Sequence, residues 1–148
     1  MNNKLIKLTK FLLDFMFFAG ILTTITVPFS FKIYSAYNQY FERFYIPLCV
    51  LFSLSGCFAV LIIGQLRKIF KTLSIDDCFI IENVISLRKM GTYSICIALI
   101  TCARLILYIT PAVLIVIIVF TIAGLFSKVL SLVFQKAVNY KLENDLTI

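Results

Sequence analysis

Between Gly91 and Phe126 the chain carries a single charge, Arg104. As one helix this stretch would be about 54 Å long at about 1.5 Å per residue, far beyond a bilayer core of roughly 30 Å, so it has to fold back. The sequence "YITPAVL" supplies the turn. Thr110 can cap a new helix, and Pro111 suits its first position, where a missing N–H costs nothing. The stretch therefore reads as two spans, about 91–109 and 112–134. Two earlier runs, about 11–31 and 44–66, complete a set of four; Asp14 interrupts the first and no charge interrupts the second.

Composition agrees with a bilayer as solvent. Of 148 residues, 61% are hydrophobic and 14% charged, with a mean hydropathy of +1.03. That leaves too little polar surface to cover a soluble core of this size. The expectation is an all-α membrane protein forming one integral membrane domain, with a loop at 67–90 and a tail at 135–148. The first apolar run is too long for a signal-peptide core and reaches "TVPFSFKIYS" without a small-x-small cleavage site, so it reads as a retained span.

Lysine and arginine set the orientation. Lys4, Lys7 and Lys10, then Arg67, Lys68, Lys71, Arg88 and Lys89, then Lys128, Lys136 and Lys141 all fall on one side of a four-span chain. Lys32 and Arg43 fall on the other. The expected topology puts both termini and the 67–90 loop in the cytoplasm, in a bacterial cytoplasmic membrane. The outer loop Lys32–Arg43 carries Tyr34, Tyr37 and Tyr40, which suit an interfacial belt.

Histidine is absent, which removes imidazole metal ligands and the commonest general base. The five cysteines, Cys49, Cys57, Cys78, Cys96 and Cys102, form no C-x-x-C pair and sit mostly in apolar runs. They read as small packing residues rather than a redox or metal centre. No catalytic residue, metal or cofactor is expected. The net charge of +7 is distributed as topology requires and comes with no nucleic-acid motif, so direct nucleic-acid binding is not expected.

Two ionisable residues fall inside spans, where charge is costly. Asp14 lies near the inner boundary, close to Lys10, at headgroup depth. Arg104 lies about 20 Å into the third span, too far from Asp14 to pair with it. Two roles stay open for Arg104: a structural one, bonding to Thr23, Thr24 or Thr26 of the first span, and an anion or substrate site.

The segment "KTLSIDDCFIIENVISLRKMG" is patterned. Ser74 followed by Asp77 resembles a capping box, Asp76 and Asp77 suit a helix start, and Arg88 and Lys89 suit its end. Ile80, Val84 and Leu87 share one face, with Glu82, Ser86 and Lys89 opposite. An amphipathic helix over Asp76–Lys89 follows, lying on the leaflet or serving as a docking surface. Beyond the fourth span, Leu130, Phe134 and Ala137 line one face, with Lys128, Gln135 and Asn139 opposite, so the helix should continue toward Leu142. "ENDLTI" should then break away at Asn144 and Asp145, leaving Leu146, Thr147 and Ile148 extended, as in strand addition or groove binding.

"FIIENVISLRKMG" followed, after two spans, by "VFQKAVNYKLENDLTI" resembles the bacterial membrane family catalogued as domain of unknown function 2975. The matching positions are Glu82, Asn83, Leu87, Arg88 and Gly91, and Glu143 to Ile148. Family members often have a Gly-x-Pro-Phe-like approach to the loop helix; here "IDDCF" keeps Phe79 without the proline. The resemblance implies a four-helix membrane protein without assigned enzymatic activity, encoded beside a small Cro/CI-like helix-turn-helix regulator.

Two function classes follow. In the first, the protein is regulatory and docks a cytoplasmic helix-turn-helix partner through Glu82, Asn83, Leu87, Arg88, Glu143, Asn144, Asp145, Leu146 and Ile148. In the second, it is a small transport or peptide-immunity protein acting through the bundle around Arg104. The lipid bilayer is a partner in both, and a homo-oligomer is compatible with either.

Overall fold

A computed structural model describes residues 3–107 and 109–146, the side chains of Tyr40 and Phe41 excepted. The described residues form α1 (Asn3–Ser35), α2 (Gln39–Arg43), α3 (Tyr45–Leu73), α4 (Ile81–Leu107) and α5 (Pro111–Leu146). All but α2 are long and apolar enough to cross a membrane. The chain thus has the all-helical architecture of a multi-pass membrane protein.

The long helices pack in the order α1, α3, α4, α5, and among the described residues the backbone of α1 approaches neither α4 nor α5. α4 is the central element: a third of its most apolar window is buried, against 6% for α1 and α3 and 11% for α5. Outward faces are apolar. On α1, Phe11, Phe15, Phe18, Leu22, Ile25 and Phe29 repeat at heptad spacing and are all exposed. Such a stripe is stable in hydrocarbon and not in water.

Inward faces are small or polar instead. α4 buries Asn83, Ser86, Gly91, Ser94, Ala98 and Thr101 among its interior positions. Lipid tails provide no hydrophobic drive between helices, so close backbone approach through small residues supplies the packing energy. Gly91 and Gly124 make the tightest such crossing. A Cβ at Gly91 would lie 2.9 Å from the Gly124 carbonyl oxygen, and a Cβ at Gly124 would lie 3.0 Å from that of Gly91. On the other flank, Gly56 of α3 meets the Thr24 side chain of α1, whose hydroxyl a Cβ would approach to 2.6 Å.

The turn between the last two spans is the expected one. α5 starts at Pro111, and the Val113 N–H donates to Thr110 Oγ1 at 3.3 Å. Tyr108 lies outside the described residues. The segments flanking the spans differ more. α3 runs to Leu73, so Arg67, Lys68 and Lys71 are helical rather than in a loop. Ser74 ends α3 instead of starting a new helix: its N–H and its hydroxyl both bond to the Phe70 carbonyl. Asp76 takes a left-handed conformation with φ 58° in the connection, a geometry that Asp tolerates better than most residues. The helix expected from Asp76 begins at Ile81 and is continuous with the third span through Gly91.

The tail is also corrected. α5 stays helical through Glu143, Asn144, Asp145 and Leu146, because neither Asn nor Asp stops a helix that already has many turns behind it. Thr147 and Ile148 lie outside the described residues. At about 54 Å, α5 is longer than any bilayer core requires.

Candidate functional site

The ends of α3 and α5, the start of α4 and the 74–80 connection form one structured layer at the basic end of the molecule. Asn83 organises it. The residue is 1% exposed, and its side-chain amide donates to the Cys78 carbonyl at 2.6 Å and to Thr72 Oγ1 at 2.7 Å. Thr72 in turn donates to the Ile69 carbonyl. One buried amide therefore ties the end of α3 and the connection to the first turn of α4. Below it, Leu87 packs with Ile69 and Met90, with Leu66, Leu130 and Phe134 around them.

α5 is fastened to the same layer. The Phe79 and Phe134 rings meet edge-on at 5.1 Å, and Lys141 Nζ donates to Asp77 Oδ1 at 2.8 Å. The bond to Asp77 raises the Lys141 pKa above the ordinary lysine value. A raised lysine pKa means that on the alkaline side the tie persists past neutral pH and is lost as pH climbs through the lysine range. Lys128 Nζ donates to Thr92 Oγ1 at 2.8 Å, and its side chain lies across Gly91.

The sequence-derived candidates separate into two groups here. Asn83 and Leu87 are buried, so they hold the layer together and present nothing to a partner. Ser86, expected on the polar face, is 5% exposed. Lys128, also placed on the solvent face, is half-buried and drawn toward Thr92. Glu82, Arg88, Glu143, Asn144, Asp145 and Leu146 are exposed. Interleaved with them are exposed apolar side chains: Ile75, Ile81, Ile85, Tyr140, Leu142 and Leu146. Ile148 lies outside the described residues.

The two ionisable residues within the expected spans have separate surroundings. Asp14 accepts a 2.7 Å ion-paired bond from Arg67 Nε of α3, and the Arg67 guanidinium lies 4.5 Å from the Phe17 ring centroid. The pairing of Asp14 across 53 positions had no local signal. Arg104 lies elsewhere, 4.0 Å above the Phe52 ring. It lines a cavity of about 270 Å³ reached by all four long helices, with Thr23, Thr24, Ser55 and Thr101 among the walls. Two of those hydroxyls are the ones expected near Arg104. Thr23, Thr24 and Thr101 each donate back to their own helix, at 2.7, 2.8 and 2.7 Å.

Together these features define a four-helix multi-pass membrane protein with a polar, ordered layer at its basic end. The family model described as "Protein of unknown function (DUF2975)" matches residues 30–148, and the chain belongs to that family. Neither a curated protein nor a solved structure matches it. The matched region includes the whole polar layer and Arg104, whereas Asp14 precedes it.

Proposed function

We propose that the protein is a small regulatory protein of the bacterial cytoplasmic membrane that docks a cytoplasmic helix-turn-helix transcription regulator. Both termini and the polar layer face the cytoplasm, following the lysine and arginine bias. The observation that carries this is the extension of α5 to Leu146, with Tyr140, Leu142 and Leu146 exposed beside Glu143 and Asp145. Apolar side chains exposed to water among charged ones are the ordinary makeup of a protein-binding surface. The 74–80 connection is short and anchored by Asn83 and Lys141, so the surface is preorganised and loses little entropy on binding. At the end of α5 itself, Glu143 and Asp145 suit basic side chains of the partner.

A chain stopped after Lys141 keeps the Lys141–Asp77 tie and should insert normally. Its capture of the regulator in cross-linked membranes should fall at least about 30-fold, the effect of removing one interface hot spot. Equal capture by both chains removes the proposal.

The Arg104 cavity favours a second reading, in which the bundle acts on a small anionic or polar solute. The same capture assay separates the two. Arg104→Leu leaves capture unchanged under docking, and alters flux or protection only if the cavity is the working site.

A further inference from the structure

A second basic feature, between α1 and α3, takes no part in the docking surface. It is a groove of about 510 Å³ with Lys10, Arg67, Lys68 and Lys71 along its polar rim and Asp14 as its one acid. Arg67 is fixed in place, bonded to Asp14 and stacked on Phe17. Its charge and that of Asp14 offset each other. Lys10, Lys68 and Lys71 make no ion pair among the described residues, so the rim holds an excess of positive charge. The other wall is apolar, formed by Phe17, Val60, Leu61 and Gly64, and continues into the lipid-facing surface of the two helices. Gly64 keeps that wall low; a Cβ there would reach ordinary contact with Phe17 at 3.5 Å.

We propose that this groove is a binding site for the phosphate headgroup of an anionic phospholipid, with an acyl chain along the Phe17–Leu61 wall. A phosphodiester offers one negative charge and several acceptor oxygens. Lysine ammonium groups meet it as mobile point charges, while a rigid paired arginine shapes the rim. Basic pockets between membrane helices at the headgroup level recognise anionic lipids in this way. The apolar wall distinguishes a lipid from free phosphate, which gains nothing from hydrocarbon contact.

The test uses the purified full chain in a zwitterionic detergent, titrated with short-chain phosphatidylglycerol, matched phosphatidylcholine and inorganic phosphate. Phosphatidylglycerol should bind saturably at one site, and the other two at least about tenfold more weakly. The double substitution Lys68→Gln/Lys71→Gln should weaken phosphatidylglycerol binding about 30-fold, from roughly one kcal/mol per basic residue. Lys4→Gln/Lys7→Gln removes the same charge outside the groove and should change it less than about twofold. Equal losses in the two variants would mean diffuse attraction and overturn the site. Free phosphate binding as tightly as phosphatidylglycerol would overturn the lipid as its ligand. The docking proposal survives either failure, because none of these lysines belongs to it.

Discussion

Gly91→Leu is expected to separate α4 from α5 and to lower the melting temperature of the detergent-solubilised chain by at least about 5 °C. The obstacle is backbone. A Cβ at position 91 would sit 2.9 Å from the Gly124 carbonyl oxygen and 2.6 Å from Lys128 Cγ. The lysine can swing aside, but the carbonyl moves only with its helix. Overpacking in a tight interior costs about 1–3 kcal/mol, and more where no rotamer change relieves it. Gly124→Leu meets the same barrier from the other side, through Ile95 and the Gly91 carbonyl. Gly64→Ala is the control: its Cβ meets Phe17 at 3.5 Å, so thermal unfolding should be unchanged. An unaltered melting temperature in Gly91→Leu would show that the two backbones do not cross there.

The second large effect is expected at Asn83, where the isosteric change to Asp is worse than truncation. Both partners of the Asn83 amide are acceptors, the Cys78 carbonyl and Thr72 Oγ1, and the Thr72 hydroxyl is already used as a donor to Ile69. Asn83→Ala leaves those oxygens without their donor, at about 1–3 kcal/mol. Asn83→Asp places a carboxylate against two oxygens in a site 1% exposed to solvent. The uncompensated buried charge adds several kcal/mol. Limited proteolysis of the 74–80 connection should be accelerated in the order Asp, Ala, wild type. If Asp behaves like wild type, Asn83 does not tie the connection to α4.

What could be read from the sequence was what depends on neighbours in the chain. The four spans follow from hydropathy and length. The Thr110–Pro111 turn follows from one cap and one missing N–H, and it is realised to the residue. The membrane–water transition was harder, because a helix leaving the bilayer changes composition without changing conformation. Lys68, Lys71 and Glu143 look like loop residues by polarity, and each is helical. Ser74 and Asp77 have capping-box spacing, but a serine hydroxyl bonds as readily to the carbonyl behind it as to an amide ahead.

The shared motif illustrates the same limit at the site. Glu82, Asn83, Leu87 and Arg88 read as one recognition element, with Gly91 in the same family motif. In three dimensions Asn83, Leu87 and Gly91 point inward, to a loop, a core and a helix crossing, while Glu82 and Arg88 point out. Heptad spacing from Asn83 through Leu87, Met90, Ser94, Ile97 and Thr101 carried that information. It was obscured because half of those residues are polar or small. The Asp14–Arg67 pair had no such trace, since it depends on where α1 meets α3.

Photo-cross-linking from Leu146 in native membranes addresses the proposed docking surface most directly. A benzophenone amino acid at Leu146, compared with one at Leu8 at the other end of the chain, should give a specific adduct with a DNA-binding helix-turn-helix protein from Leu146 alone. Adducts only with lipid or with neighbouring helices of this protein would contradict a docking role for the end of α5.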